Sequence, residues 1–287
     1  MNSSPSLTIL SRRFPAKRVF ITGGGSGLGR ALALEFAAAG WHVGIADISA
    51  GRLASVAAEL QSAGAATLST HAGDVASEPF VSSAIATFAA ARNGLDALFN
   101  NAGVAVAGDV DATPVEDWRW IVDINLLGVV WGCRAALPIL RRQGSGLILN
   151  TASSAGFAAA PNMAAYNVTK AGVISLSETL ASELGGTGIQ VSCAMPGFFR
   201  THLLDTLRAP PQENAMAHAL MDHSRHDPAD AARAILGAAA KGDLYIVWPR
   251  EYRLVWRLKR YFPMWFLKRV QGFRDAQIKR AENPPRG

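Results

Sequence analysis

Short β-rich runs alternate with longer alanine-rich segments along most of this 287-residue chain, and this alternation limits the possible folds more than any other feature. Seven runs have strand composition: 17–22, 41–47, 67–72, 97–100, 146–151, 190–194 and 244–248. Helical segments lie between them, at about 28–39, 51–63, 78–92, 114–142, 163–185 and 228–240. Because the connections are short, the strands are expected to be parallel, with right-handed crossovers. The pattern predicts one doubly wound α/β domain, with about seven parallel strands and helices on both faces.

Composition excludes several other classes of protein. Apolar residues make up 49% of the chain and charged residues 17%, values that rule out disorder, collagen and coiled coil. Cys133 and Cys193 offer neither a disulfide framework nor a zinc-ligand spacing. No run of 18 apolar residues is present, and the first residues are not a secretory signal, so no transmembrane helix is expected. A soluble cytoplasmic enzyme is the resulting expectation.

The positive charge is concentrated at the end of the chain. Residues 250–287 hold eleven Lys or Arg and three Asp or Glu, whereas the whole chain holds 28 and 22, so the first 249 residues are slightly acidic. An enzyme acting on nucleic acid would usually spread its basic residues along a groove, so no nucleic-acid partner is expected. The chain divides into an extension (1–16), a catalytic domain (17–249) and a basic aromatic tail (250–287).

A glycine-rich loop lies between the first strand and the first helix. A dinucleotide pyrophosphate needs close backbone approach there and is stabilised by the N–H groups at the helix N-terminus. Glycines also make ordinary tight turns, but the position after the first strand favours cofactor binding. The predicted contacts are Gly23, Ser26, Gly27, Leu28 and Gly29.

An acidic residue, Asp47, ends the second strand. A carboxylate there can accept both hydroxyls of an adenosine ribose and would repel a 2′-phosphate, so NAD is favoured over NADP. Alternatively, Asp47 or Ser49 caps the next helix. Arg30 and Arg52 could reach a phosphate and reverse the preference, although each is also typical of a solvated helix surface.

Two further strand ends carry candidate cofactor contacts. Asp74 and Val75 follow the third strand and could hold the adenine edge. Asn101, Ala102 and Gly103 follow the fourth, where an Asn amide can tie strand ends together. Asp and Asn are also ordinary turn residues, so each signal is modest alone.

The catalytic candidates are Ser153, Tyr166 and Lys170. Tyr166 and Lys170 are spaced i, i+4 and share a helix face, and Ser153 lies just past the fifth strand. Ligands of open α/β sheets bind at the carboxyl ends of strands, where both Ser153 and the glycine loop fall. A neighbouring ammonium group favours the phenolate, and the pair could shuttle a proton at a carbinol oxygen. A surface Tyr–Lys pair is the alternative.

At this point the chain resembles the short-chain dehydrogenase/reductase family over about residues 17–248. The motifs that carry the resemblance are Thr22-Gly23-x-x-x-Gly27-x-Gly29, Asp74, Asn100-Asn101-Ala102-Gly103, Asn125, Ser153, Tyr166-x-x-x-Lys170 and Pro196-Gly197. The resemblance implies a Rossmann-type NAD(P)-binding domain that transfers a hydride between a nicotinamide and a secondary alcohol or ketone. A non-catalytic redox sensor or scaffold of the same fold is the alternative.

The resemblance also implies roles for individual residues. Tyr166 matches the family's general acid/base, Lys170 the residue that lowers the tyrosine pKa and binds the nicotinamide ribose, and Ser153 the residue that positions the substrate oxygen. Asn125 matches an Asn that holds a water in a proton relay. Pro196, Gly197 and Thr201 match residues near the nicotinamide. The chain reads Ala152-Ser153-Ser154 where the family often has Ser-Ser-x, and the spacing to Tyr166 favours Ser153.

Substrate preference is expected to lie in the stretch after the sixth strand, 198–227. Its Phe, Leu and Met residues could form a flexible apolar lid, which favours a hydrophobic alcohol or ketone, or could simply pack on the body. His218, His223 and His226 also lie here, but no nearby acidic cluster supports a metal site, so none is predicted.

The tail departs from a minimal member of the family. Residues 245–273 contain nine of the 23 aromatic residues, interleaved with Lys and Arg. Pro263 is expected to split the tail into helices at about 250–262 and 264–281. Such helices could contact a membrane peripherally, or could pack on the body or a partner subunit. The family resemblance suggests a homodimer or homotetramer, through the helices near 114–142 and 163–185.

Overall fold

The computed structural model describes residues 5–222 and 224–282, and it contains one sheet of seven parallel strands. The order across the sheet is β3-β2-β1-β4-β5-β6-β7, so the direction of winding reverses between β1 and β4. This confirms the predicted doubly wound sheet. The strands are β1 (Arg18–Thr22), β2 (His42–Asp47), β3 (Thr67–Ala72), β4 (Ala97–Asn100), β5 (Gly146–Thr151), β6 (Ile189–Pro196) and β7 (Tyr245–Trp248).

Twelve α-helices accompany the sheet in the described part of the chain, and they cover both faces. Helices α1, α2, α3 and α10 pack with one core cluster, and α4, α6 and α8 pack with the other. The helices are α1 (Pro5–Arg13), α2 (Gly27–Ala38), α3 (Ala50–Ala63), α4 (Glu78–Arg92), α5 (Val115–Val122), α6 (Gly128–Gln143), α7 (Ala155–Ala158), α8 (Ala164–Glu183), α9 (Pro211–Asp222), α10 (Pro228–Ala240), α11 (Glu251–Tyr261) and α12 (Pro263–Glu282).

The helix expected over 114–142 is interrupted by a π-helical turn, Asp123–Leu127, between α5 and α6. By length and composition alone, the stretch Val115–Gln143 could cross a membrane. It is instead a core helix here, because Val129, Cys133 and Ala136 are buried in the cluster that also holds residues of β4 and β5. Both cysteines are buried free thiols.

The extension 1–16 contains a helix that the sequence pattern did not reveal. Leu7, Leu10 and Phe14 are almost completely buried, and α1 packs against α10. The indole of Trp41 donates to the Ser11 hydroxyl at 3.0 Å. The extension is therefore part of the core.

The tail forms two helices that meet near Pro263, as expected, although Pro263 is itself the first residue of α12. One face packs on the domain: Phe266 is buried, Tyr252 and Trp256 are half-buried, and Trp256 lies 5.4 Å from the ring of Tyr245. Large apolar side chains remain exposed on the other faces, and they are Leu254, Tyr261, Phe262, Met264, Trp265 and Leu267.

Candidate active site

The glycine loop is a backbone cradle at the N-terminus of α2. Gly23 and Gly27 have positive φ angles of 65° and 50°. A Cβ at Gly23 would lie 2.7 Å from the Cα of Ala102, and one at Gly29 would overlap the carbonyl oxygen of Gly23. Side chains are therefore excluded from the cradle, which leaves room for a pyrophosphate at the helix N-terminus. This fits a dinucleotide cofactor.

The carboxyl ends of β1 and β4 are tied together beside this cradle. The Thr22 hydroxyl accepts hydrogen bonds from the backbone N–H groups of Asn101 (3.0 Å) and Ala102 (3.1 Å). The Asn101 amide donates to the carbonyl of Thr22 at 3.2 Å. The chain winds in opposite directions from these two strands, so the crevice between them is where an open α/β sheet binds its ligand. Thr22 is thus a positioning residue, a role that its place in the glycine motif did not reveal.

The Asp47 carboxylate is buried and has three hydrogen-bond donors. It accepts from the backbone N–H groups of Gly25 and Ser49, each at 3.0 Å, and from Nη2 of Arg52 at 3.3 Å. Ser49, not Asp47, caps α3, through a bond from the N–H of Arg52. Arg30 is paired with Glu59. Neither arginine is therefore the simple solvated charge that the sequence suggested.

Ser153, Tyr166 and Lys170 meet at the carboxyl ends of β5 and β6. Ser153 is close enough to influence the acidity of the Tyr166 phenol, and its own hydroxyl accepts from the N–H of Ala155 at 3.2 Å. Nζ of Lys170 donates to the carbonyl of Thr151 at 2.9 Å and lies 5.8 Å from the centre of the Tyr166 ring. All three side chains are buried, so Tyr166 and Lys170 are not a solvated surface pair.

Burial changes the acidity of both groups. It raises the pKa of the Tyr166 phenol, an effect that the nearby Ser153 side chain offsets in part. Burial also lowers the pKa of Lys170 to about 8. The expected lowering of the tyrosine pKa by the lysine is therefore not the dominant effect in the protein alone, because desolvation of the phenolate outweighs it.

Asn125 lies within the π-helical turn and is completely buried. Its amide pairs with both backbone groups of Val104: Oδ1 accepts from the N–H at 2.8 Å, and Nδ2 donates to the carbonyl at 2.9 Å. Nδ2 also lies 3.3 Å from the hydroxyl of Thr169, on α8. Asn125 therefore joins the segment after β4 to α8, the helix that carries Tyr166 and Lys170.

A cavity of about 1190 Å³ connects the glycine loop to Ser153, Tyr166 and Lys170. Of the predicted site residues, only Gly29 and Asn125 do not line it. Those that do are Gly23, Ser26, Gly27, Leu28, Asp47, Asp74, Val75, Asn101, Ala102, Gly103, Ser153, Tyr166, Lys170, Pro196, Gly197 and Thr201.

The segment 198–227 forms an apolar part of the cavity wall. It contains a 3₁₀ helix, His202–Thr206, and α9. Its base is fixed beside the site, because the N–H of Ala107 donates to the carbonyl of Arg208 at 3.0 Å. The segment contributes the apolar lining residues Phe198, Phe199, Leu203, Leu204, Leu207, Met216, Ala217 and Met221.

Several lining residues were missed in the sequence. Ile48, 67% exposed, follows Asp47 at the adenosine end, and a large apolar residue at such a turn was a usable signal. Tyr252, Arg269 and Val270 come from the tail, and no local pattern connects them with the site. Among the described residues, no group of three or more His, Cys, Asp or Glu is placed to hold a metal ion, and His223 lies outside them.

Comparisons of the sequence and of the structure with known proteins agree with one another. The family model for short chain dehydrogenase matches residues 17–212. Levodione reductase of Leifsonia aquatica is 37% identical over 195 residues, covering 67% of this chain and 73% of its own. A putative oxidoreductase, SadH, of Mycobacterium tuberculosis is 32% identical over 247 residues, covering 84% and 89%. The crystal structure of a short chain dehydrogenase/reductase from Burkholderia phymatum in complex with NAD has a TM-score of 0.80 at 30% identity, covering 85% and 92%.

Proposed function

Because the chain belongs to the short-chain dehydrogenase/reductase family, and is thus an oxidoreductase acting on alcohol or ketone groups, we propose that Tyr166 is its general acid/base. The observation that carries this proposal is that Ser153, Tyr166 and Lys170 are buried together at the end of the cofactor cavity. The nicotinamide, when bound, accepts or donates the hydride.

The roles of the three residues follow from their contacts. Ser153 is placed to hold the substrate oxygen next to the Tyr166 phenol, which gives a proton to a ketone oxygen or takes one from an alcohol. The positive charge of an oxidised nicotinamide and of Lys170 would favour the phenolate, opposing the effect of burial. Asn125 fixes the backbone after β4 against α8, and we propose that it positions a proton relay at this point.

The test is Tyr166→Phe, which removes the phenolic oxygen and leaves the ring. We expect kcat to fall by about 10³-fold or more, while the affinity for NAD stays within about threefold, because only proton transfer is lost. The matched control is Tyr261→Phe, since this tyrosine is 72% exposed on the tail.

The alternative function, a redox sensor without catalysis, gives a different result in the same experiment. It predicts that the unmodified protein binds NAD but turns over none of a broad panel of alcohols and ketones. Substantial residual turnover by the Tyr166→Phe variant would instead contradict the role of Tyr166.

We propose NAD as the cofactor, with NADP less favoured. The Asp47 carboxylate is 7% exposed, ends β2 and lines the cavity, so it can accept ribose hydroxyls and repel a 2′-phosphate. Arg52 offsets part of that charge, but its guanidinium is engaged by Asp47 itself. Arg30 is engaged by Glu59. Asp74 and Val75 remain candidates for the adenine contact, and Thr201, close to Gly27, for the nicotinamide end.

We propose that the substrate is a hydrophobic secondary alcohol or ketone. The side of the cavity away from the glycine loop is lined mainly by apolar residues of the lid, including Phe198, Met216 and Met221. Methionine adapts to irregular apolar ligands. The family comparisons support the reaction, whereas this lining supports the substrate class.

A homodimer or homotetramer is the proposed assembly. Val115 of α5 and Val168 of α8 are more than half exposed, so these helices present apolar surface outside the subunit. Light scattering at micromolar concentration tests this proposal, and a monomer would contradict it.

We further propose that the protein is cytoplasmic and attaches to an anionic membrane surface through its tail, 250–281. Tyr261, Phe262, Met264 and Trp265 are each at least 48% exposed, among basic side chains. Within residues 250–272, the part of the tail whose side chains the structure describes, no Lys or Arg forms an ion pair with a carboxylate. Unpaired cations beside exposed aromatics match the interface of an anionic bilayer.

A further inference from the structure

The C-terminal tail reaches the substrate cavity. Tyr252 of α11, and Arg269 and Val270 of α12, line the same space as Ser153 and Tyr166. These residues lie beyond the last strand of the sheet and beyond the part of the chain that the family model matches. The family match therefore assigns no role to them.

The first tail helix is fixed directly against the catalytic region. The ring of Tyr252 occupies the space that a Cβ on Gly197 would need. Its hydroxyl lies 3.5 Å from the N–H of Phe198, which donates to it. Helix α11 also packs against α7, which begins two residues after Ser153. The position of α11 therefore depends on the elements that hold the site.

The second tail helix continues this wall. Phe266 is 9% exposed and anchors α12, and Val270 follows it one turn later at the cavity. The Arg269 guanidinium lies 5.3 Å from the centre of the Trp265 ring. Met216, Ala217 and Met221 of α9 line the same cavity, so its walls include residues of both the lid and the tail.

We propose that the tail determines which substrates fit. On this proposal the substrate is an elongated, mainly apolar secondary alcohol or ketone, and its end remote from the reacting carbon lies against Val270. A short substrate would leave this wall uncovered. The inference rests on the proposed oxidoreductase function, which supplies the position of the reacting carbon near Tyr166.

The test places one large side chain, tryptophan, at the part of the cavity wall that α12 forms. Val270→Trp is compared with Leu267→Trp, which places the same residue on the same helix at a position that is 38% exposed and does not line the cavity. Binding of 2-butanone and 2-dodecanone is measured by calorimetry with NAD present. This pairing cannot react, because oxidised cofactor and ketone cannot exchange a hydride.

We expect Val270→Trp to weaken binding of 2-dodecanone by about tenfold or more and to change binding of 2-butanone by less than about twofold. Leu267→Trp should change neither. Equal effects of Val270→Trp on the two ketones, or no effect on either, would overturn the proposal.

Turnover of 2-butanol and 2-dodecanol by the unmodified protein, measured in parallel, separates the two proposals. If Val270→Trp weakens binding of the long ketone only, and the unmodified protein turns over neither alcohol, the proposed reaction is wrong and the role of the tail in ligand binding is supported. If both alcohols react but the effect of Val270→Trp is independent of length, only the tail wall fails.

Discussion

Single buried residues set the chemistry of the site, and Asp47 is the clearest example. Two backbone N–H groups and Arg52 donate to its carboxylate, which is 7% exposed. The two oxygens of a carboxylate offer about four acceptor sites, so Asp47 can still accept a hydrogen bond from a ribose hydroxyl.

Cofactor choice should therefore change when this carboxylate is removed. Asp47→Ala combined with Ile48→Arg eliminates the repulsion and adds a phosphate partner. The ratio of kcat/KM for NADP to that for NAD should rise by roughly 10- to 100-fold, since charge-assisted hydrogen bonds contribute about 1.5–3 kcal/mol. The control is Ile48→Ala, and a native enzyme that already has the higher kcat/KM with NADP would refute the assignment.

Lys170 illustrates how a buried charge at a proposed catalytic position lowers the stability of the fold. Burial lowers its pKa to about 8, well below the ordinary value near 10.5, so holding the charged amine in the folded state costs about 3 kcal/mol. That cost is fully present below pH 8, where both states carry the proton. It is relieved as pH rises from about 8 to 10.5, because only the unfolded chain is then protonated.

Lys170→Met should therefore abolish activity and yet stabilise the protein at pH 7. We expect the free energy of unfolding to rise by roughly 1–3 kcal/mol, since the lost bond to Thr151 offsets part of the gain. The advantage should shrink between about pH 8 and 10. Urea unfolding across this range measures it, with Lys241→Met, an exposed lysine, as control. Destabilisation at pH 7 would contradict the argument.

At the scale of helices and strands, the local sequence pattern was sufficient to predict the elements that neighbouring residues determine. β3, β4 and β5 have the predicted bounds. β4 and β5 are fully buried, and their apolar runs between turn residues define covered strands, whereas β3 is a partly exposed strand at the edge of the sheet. The positions of the glycine loop, Ser153 and Tyr166 at one sheet edge followed from the topology. Their proximity could be predicted because the carboxyl ends of parallel strands lie at the same edge of the sheet.

Other elements depended on contacts that the sequence does not show. The three apolar residues Leu7, Ile9 and Leu10 are too few to indicate a core helix, and α1 is held by α10, which lies far along the chain. The π-helical turn has no characteristic amino-acid composition from which it could be predicted. It is stabilised by the pairing of Asn125 with Val104. Tyr252 and Val270 reach the cavity only because α11 and α12 fold back over the domain.

The lid segment depends on one side chain at its base. The Arg208 guanidinium pairs with Asp117 at 2.7 Å and lies 3.7 Å from the centre of the Trp120 ring, which lines the cavity. Its backbone also bridges to Val106. The lid is thus fastened to α5 by side-chain contacts as well as to the segment after β4.

Arg208→Ala should loosen the lid without changing the chemistry. We expect KM for a hydrophobic alcohol to rise about fivefold, with kcat within about twofold, because a partly exposed cation–π contact and ion pair together contribute about 1 kcal/mol. Arg233→Ala is the control, since Arg233 also forms ion pairs but its partners, Glu35 and Asp230, lie outside the lid. An unchanged KM would show that the base of the lid is held by its backbone alone.

At the scale of the whole molecule, charge and apolar exposure are distributed unevenly. The slightly acidic body carries the site, and the basic tail carries a cluster of exposed aromatic residues. The tail also packs inward through Tyr252 and Phe266, so removing it would uncover Gly197 and the cavity. A truncated protein would therefore confuse loss of membrane contact with damage to the fold.

Surface variants avoid this difficulty. Phe262→Ser with Trp265→Ser removes two side chains that are 60% and 48% exposed, so the fold should be retained. We expect co-sedimentation of the protein with anionic vesicles to fall by about tenfold or more, because burying one large apolar side chain contributes about 1.5–3 kcal/mol.

Binding of the unmodified protein should also weaken with added salt and be small on zwitterionic vesicles, since basic residues act only near an anionic surface. The double variant Ile9→Ser with Val110→Ser, which removes exposed apolar residues elsewhere, should bind as the unmodified protein does. Negligible binding of the unmodified protein to anionic vesicles would leave the exposed aromatics as a surface for another subunit.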